Sequence, residues 1–226
     1  MTLTRRIFSF AFAISMLTMP LTLMAQGKHR VHEEERDTTR LFQGIAVSYD
    51  VAGTVMRMVS DYGQYEAALR VNLRDRYFPV VEVGLGDANH KTDLVTNVAC
   101  KVSAPYGRIG LDLNMAKNKH DDYRIYVGAR YGFTSFVTEV GGIAKDPYWG
   151  DVTDFTYDMK RCNFHWFELA FTVDGKLWGP VRLGWSVRYR KDIHKTDLGA
   201  DNLWYVPGYG KYGNKIGATF NVTFEI

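Results

Sequence analysis

An all-β fold, an eight-stranded antiparallel up-and-down transmembrane β-barrel, is predicted for this 226-residue chain by three observations. Eight segments of about ten residues each alternate apolar and polar side chains with the period of two that a half-buried strand requires. The connections between them alternate between short and long, as they do in an even-stranded barrel with tight turns at one rim and loops at the other. The polar face of these segments carries arginine rather than lysine, together with recurrent glycine, which suits a crowded interior better than a solvated exterior.

The first segment, residues 41–52, places Ile45, Val47, Tyr49 and Val51 on one face, and the second, residues 64–74, places Tyr65, Ala67, Leu69, Val71 and Leu73 there. Residues 77–86 follow with Tyr77, Pro79, Val81, Val83 and Leu85, and residues 106–116 with Ile109, Leu111, Leu113 and Met115. Pro79 removes a ladder hydrogen bond and is expected close to a rim, where a frayed edge tolerates it. The longest segment, 123–137, carries Tyr123, Ile125, Val127, Ala129, Tyr131 and Phe133. Residues 164–173 offer Phe167, Leu169, Phe171 and Val173, and residues 181–191 offer Val181, Leu183, Trp185, Val187 and Tyr189. In the last segment, 215–226, Ile216, Ala218, Phe220, Val222, Phe224 and Ile226 alternate strictly with Gly217, Thr219, Asn221, Thr223 and Glu225. The links 75–76, 117–122 and 174–180 are short, whereas 53–63, 87–105, 138–163 and 192–214 are long. Both ends of the barrel chain therefore fall on the rim of short turns.

Residues 1–25 read as a secretory signal peptide. Arg5 and Arg6 precede an apolar run, then come Pro20 and the small Ala25. Removing them takes away two of the 28 basic residues and none of the 25 acidic ones, which leaves a net charge of +1. So balanced a chain offers no electrostatic footprint for nucleic acid. Past the signal no apolar run reaches about 18 residues, so membrane residence would have to come from strands. Residues 26–40, with Glu33, Glu34, Glu35, Arg36 and Asp37 in succession, read as a charged periplasmic tail, and residues 41–226 as the barrel.

A soluble barrel of lipocalin type uses the same alternation with its apolar face inward, so the chemistry of the polar face has to separate the two. That face carries Asp50, Glu66, Glu82, Asp112, Glu168 and Glu225 with Arg70, Arg108, Arg124, Arg130, Arg182, Arg188 and Arg190. Guanidinium forks pair with carboxylates in confined space. An interior ion-pair network of Glu66, Arg70, Glu82, Arg108, Asp112, Arg124, Arg130, Glu168, Arg182 and Arg188 is expected. Arg70 should face Glu82 and Glu168 should face Arg188 within their own hairpins. Such a network plugs an eight-stranded lumen, which is only wide enough for side chains to fill. Five outward positions per strand correspond to ~33 Å of strand and, at a tilt near 40°, to ~25 Å of height. Tyr65, Tyr131, Phe133, Phe167 and Tyr189 would form an outer aromatic girdle, and Tyr77 and Tyr123 an inner one.

The whole chain beyond residue 25 resembles the small eight-stranded outer-membrane barrels of the OmpA-transmembrane-domain and OmpX type. Its end, Ala218-Thr219-Phe220-Asn221-Val222-Thr223-Phe224-Glu225-Ile226, is similar to the C-terminal signal read by the barrel-assembly machinery, although most members end in an aromatic residue rather than Ile226. The stretches Asp61-Tyr62-Gly63-Gln64-Tyr65-Glu66-Ala67-Ala68 and Arg76-Tyr77-Phe78-Pro79-Val80-Val81-Glu82-Val83-Gly84 resemble a Bacteroidota-type outer-membrane family of unknown function. The resemblance implies residence in the outer membrane with both termini in the periplasm, lipid and the assembly machinery as partners, and no particular activity.

No catalytic, cofactor-binding or metal-binding set emerges. His29, His32, His90, His120, His165 and His194 fall in the tail, loops, a turn and a strand start, and Ser48, Ser135 and Ser186 have no histidine two residues away on their face. A serine hydrolase needs such a partner. Aromatics in the long loops, Tyr148, Trp149, Trp204, Tyr205 and Tyr209, are candidates for a contact surface, with folding back as a lid the competing reading. Residues 55–60, with Thr54 as N-cap, suggest a helical turn lying on the membrane. Cys100 and Cys162 suit either a single cross-link in an exported chain or two packed free thiols. The expected function is that of a plugged outer-membrane barrel in a structural or interaction role through its outer loops, not an enzyme and without cofactor. The alternatives are an accessory subunit of a larger outer-membrane complex with a protein partner, and a lipid-directed enzyme.

Overall fold

The structure, a computed structural model, describes residues 40–90, 98–145, 152–158, 161–196 and 203–226, with side chains left aside at residue 98 and over 139–158. The segments read as signal peptide and tail lie outside these residues, apart from Arg40. In chain order the described elements are β1 (Phe42–Asp50), α1 (Val51–Val59), β2 (Tyr62–Leu73), β3 (Tyr77–His90), β4 (Val98–Asn114), β5 (Tyr123–Phe136), β6 (Glu139–Lys145), β7 (Val152–Asp158), β8 (Cys162–Trp178), β9 (Val181–Lys195), β10 (Tyr205–Val206), β11 (Gly210–Lys211) and β12 (Ile216–Glu225). Strands β1, β2, β3, β4, β5, β8, β9 and β12 each pair antiparallel with the next, and β1 pairs with β12, so the sheet closes into an eight-stranded barrel. Closure removes the free edges that an open sheet would expose.

The eight expected strands are all present, but β2, β3, β4, β8 and β9 run further at their outer ends than the alternation indicated, whereas the first strand stops at Asp50 instead of residue 52 because Val51 and Ala52 begin α1. β4 starts at Val98 rather than at residue 106, and its first residues pair with β6 (Cys100 opposite Val140), from which β7 continues as the far edge of an arm. The link 174–180 is also shorter than expected. β8 runs on to Trp178, and Gly179 (φ +54°) and Pro180 alone make the turn. The β2–β3 turn places Arg74 and Asp75 in the left-handed region, at φ 55° and 52°. The barrel wall is uneven in height. β1 and β12 have 9 and 10 residues, whereas β4 and β8 have 17 each. Helix α1 packs on the low side, against β2 and β12. Its N-cap is Asp50, whose Oδ1 accepts from the Ala52 amide at 3.1 Å, so the helix begins four residues before the position suggested by Thr54.

Polarity along the wall changes sign with height. In the lower two thirds the apolar face points outward, with Val47, Leu69, Val81, Val83, Ile109, Leu111, Val127, Leu169, Phe171 and Val187 exposed, while the charged face is buried. Above that level, on β4 and at the start of β8, the inward side chains become apolar and the outward ones polar. On β4, Val102, Ala104 and Tyr106 are buried while Lys101 and Ser103 are exposed. On β8, Phe164 and Trp166 point in and Asn163 points out. The molecule has two interiors, a charged one below and an oily one above.

Candidate functional site

The charged interior is a stack of shared ion pairs. At its centre Glu82 accepts from Arg130 Nε at 2.8 Å and from Arg188 Nη1 at 3.0 Å, and Arg108 Nε lies 3.1 Å away. Arg108 also pairs with Glu66, and with Glu168 at 3.0 Å; Arg188 reaches Glu66 at 3.1 Å and Glu168 at 3.7 Å. One layer lower, Asp112 holds Arg130 at 2.9 Å and Arg70 at 3.3 Å. The inner end is closed by Asp174 with Arg182 at 2.7 Å, Glu225 with Arg124 at 2.7 Å, and Asp75 with Arg124 at 3.1 Å and His120 at 2.8 Å. At the centre, Glu66, Glu82, Arg108, Glu168 and Arg188 are each met by two or more opposite charges, which is the condition under which buried ions are tolerated.

All ten residues expected in the network have ion-pair partners there; of the two pairs expected within hairpins, Glu168 with Arg188 is present at 3.7 Å, whereas Arg70 with Glu82 is not. Ala68 does stand opposite Glu82 and Arg70 opposite Val80, yet Arg70 turns away from Glu82 toward Asp112 and, at 3.9 Å, Asp174. Some guanidinium arms cross the lumen, as Arg188 does to Glu82, while others stay with the adjacent strand, as Arg190 does with Glu168 and Arg182 with Asp174. Asp75 and Asp174, assigned to turns by sequence, and Arg190 and Glu225 complete the stack.

The oily upper interior is filled by the last loop. Leu203, Tyr205, Val206 and Tyr209 pack beneath the rim against Tyr106, Phe136, Phe164 and Trp166. Tyr205 donates to the Gly63 carbonyl at 3.0 Å, and Arg190 to the Tyr209 carbonyl oxygen. Gly208, at φ +79°, lies so close to the Tyr106 ring that an added Cβ would stand 2.5 Å from it. Tyr106 and Trp166 join the two interiors, since they donate to Glu66 and Glu168, each at 2.7 Å. This corrects the expectation of a contact surface at Tyr205 and Tyr209, which are each only 1% exposed. Their rings are worth more inside, where the wall offers matching aromatics, than in water. Trp204 is half-buried and stacked on His90, with ring centroids 4.3 Å apart. Tyr148 and Trp149 lie outside the described residues.

Two spaces remain. A cavity of about 250 Å³ lies between α1, the start of β12 and the last loop, lined by Asp50, Met56, Gln64, Arg190, Tyr205 and Ile216 among others. Among the charges there is a void of about 10 Å³, bounded by Ser48, Asp50, Glu66, Arg70, Glu82 and Arg188. That is room for about one water. In planar bilayers the purified protein should accordingly show no steady conductance, and reproducible channels of porin size would contradict the packed interior.

The described histidines are engaged locally. His90 contacts Asp61 at 3.2 Å, His120 contacts Asp75, and His165 shares a 2.8 Å hydrogen bond with the Tyr131 hydroxyl. Among the described residues no group of three His, Cys, Asp or Glu side chains is placed to hold a metal. Cys100 and Cys162 are buried, unbonded thiols, and burial pushes the Cys100 thiol up to about 11, which keeps it protonated and unreactive at neutral pH.

Closed antiparallel strands, a charged and filled lumen and an apolar outer wall define the class as a small, plugged eight-stranded β-barrel. Residues 7–226 match the family model described as a domain of unknown function, DUF6048, and the chain belongs to that family. Comparison with curated proteins and with solved structures returned no match.

Proposed function

We propose that this protein is an outer-membrane β-barrel that is sealed by its own ion pairs and acts as a structural or interaction protein through the parts that rise above the lipid. The observation that carries this reading is the reversal of polarity with height. An apolar outer wall around a charged interior is stable where the surroundings are hydrocarbon, and the return to polar-out, apolar-in at Lys101, Ser103 and Asn163 marks where water begins. Exposed Tyr49, Tyr65, Tyr131, Phe133, Phe167 and Tyr189 fall close to that boundary, where amphipathic rings are favoured. Both the start of β1 and the end of β12 stand at the rim of tight turns, which on this reading faces the periplasm. Lipid along the wall and the barrel-assembly machinery during insertion are the partners this implies.

A second reading, an accessory subunit of a larger outer-membrane complex, draws on the arm of β6 and β7. Among the described residues β7 pairs on one side only, and a free strand edge can take up an extended segment of another protein. Affinity purification from native membranes that yields a stoichiometric partner would favour it.

Accessibility on intact cells tests the main proposal. An epitope inserted in the β6–β7 connection should be detected from outside, whereas epitopes at Asp121 or in the turn at Gly179 should appear only after the outer membrane is opened. The opposite pattern, or recovery of the protein in a soluble fraction, would overturn it.

A further inference from the structure

Helix α1 carries an apolar face whose large side chains are exposed. Val55, Met56, Met58 and Val59 are 49%, 39%, 77% and 59% exposed, and at 100° per residue they form, with Val51 and Ala52, one continuous stripe. The opposite face is the one attached to the barrel. Gly53 is buried there, and Arg57 pairs with Asp87 while its guanidinium lies 5.1 Å from the centre of the Tyr65 ring. Thr54 shares a 2.7 Å hydrogen bond with the Tyr49 hydroxyl. Tyr49 and Tyr65 are 41% and 38% exposed and belong to the outer aromatic belt, so the helix is fastened to that belt from both neighbouring strands. The stripe thus continues the apolar wall, at the level where its polarity changes and on the side where β1 and β12 make the wall shortest.

We infer that α1 is an interfacial membrane helix, which lays Val55, Met56, Met58 and Val59 into the boundary between head groups and acyl chains of the outer leaflet. This rests on the outer-membrane reading above. The occupant is lipid rather than protein because the stripe is continuous with a wall that already faces lipid, and because the helix contains no acidic residue and its one cation is turned inward to Asp87. A helix whose apolar side is several residues wide and lies flat gains by burying that side about 5–10 Å into the interface. On the low side of the barrel it supplies the apolar contact that strands supply elsewhere.

Site-directed spin labels on the refolded full chain in phosphatidylcholine vesicles test this. Separate labels at Met58→Cys, Val59→Cys, Leu111→Cys and Asp121→Cys are compared for relaxation by oxygen, which concentrates in lipid, and by a water-soluble nickel chelate. The native thiols are buried and should not label. Oxygen should dominate at Leu111 and the nickel chelate at Asp121. Positions 58 and 59 should follow Leu111 in sign, with a smaller excess of oxygen because they are shallower. Nickel dominance at both, with Leu111 still in lipid, would overturn the inference and leave the outer-membrane reading standing. Protection of both from either reagent would also overturn it, in favour of a protein partner or a second copy on this face. Nickel dominance at Leu111 itself would refute the outer-membrane reading.

Discussion

Replacing Glu82 by alanine should destabilise the refolded barrel by about 3–5 kcal/mol, the cost of breaking a buried pair on one side only. Glu82 is 2% exposed and is the carboxylate on which Arg108, Arg130 and Arg188 converge. Its removal leaves three guanidiniums in a narrow lumen whose neighbouring void has room for only about one water. Arg130 keeps Asp112 and Arg108 keeps Glu66 and Glu168, so the loss should stay toward the lower end if those pairs tighten. Asp192→Ala is the matched control, because that carboxylate is exposed on the outer part of β9. It should change stability by no more than about 0.5 kcal/mol. Urea unfolding in detergent, followed by the change in gel mobility between folded and unfolded barrel, measures both. Equal midpoints for the two variants would mean that the lumen is hydrated enough to dispense with Glu82.

Trp166→Ala should cost a similar amount, about 3–5 kcal/mol, for a different reason. The indole is fully buried between the two interiors, donates to Glu168 and packs against Phe164 and Tyr209. It occupies the space left by its cross-strand neighbour Gly132, where a Cβ would stand 2.2 Å from the ring. Gly132→Val alone should therefore lose about 1–3 kcal/mol or more through overpacking. In the Trp166→Ala background the same valine should cost much less, since the ring it strikes is gone. A double-mutant cycle that returned simple additivity would show that the glycine and the indole are not sharing one volume.

Much of the barrel was legible because a wall that is apolar outside and charged inside imposes a strict period of two, and that period survives in Ile45-Val47-Tyr49 and in Ile216 to Ile226 without any tertiary information. The hairpin register between β2 and β3 could also be counted, because a tight turn leaves little freedom. The partners of Arg70 could not be counted. In a closed lumen a long side chain has a choice between its own hairpin and strands across the barrel, and only the three-dimensional closure places Asp112 and Asp174 within its reach. The outer extensions escaped notice for a related reason. Cys100, Val102 and Ala104 alternate with Lys101 and Ser103, but in a phase that puts the apolar side inward, opposite to the wall below. Aromatic residues such as Tyr205 and Tyr209 look alike in sequence whether they form a lid or a docking surface, and the buried wall of Phe164 and Trp166 decides the matter only once folded.

The unequal lengths of the strands bear on how such a barrel comes to be closed. The pairing of β1 with β12 runs over only five register positions, from Ala46 opposite Glu225 to Asp50 opposite Asn221, extended by the reciprocal backbone bonds of Ile45 and Ile226 at 2.9 and 2.8 Å. β3 with β4, by contrast, aligns continuously from Tyr77 opposite Leu113 to His90 opposite Cys100. Strands joined by tight turns meet after a few residues and the other neighbours after about 7 to 25, whereas the first and last strands must find each other across the whole barrel sequence, and contacts of that separation carry the largest loop-closure cost. Among the ladders of the barrel wall, the shortest is also the most distant in sequence. The β1–β12 joint is therefore expected to be the last to zip and the first to part, a seam that stays open until the rest of the sheet is complete.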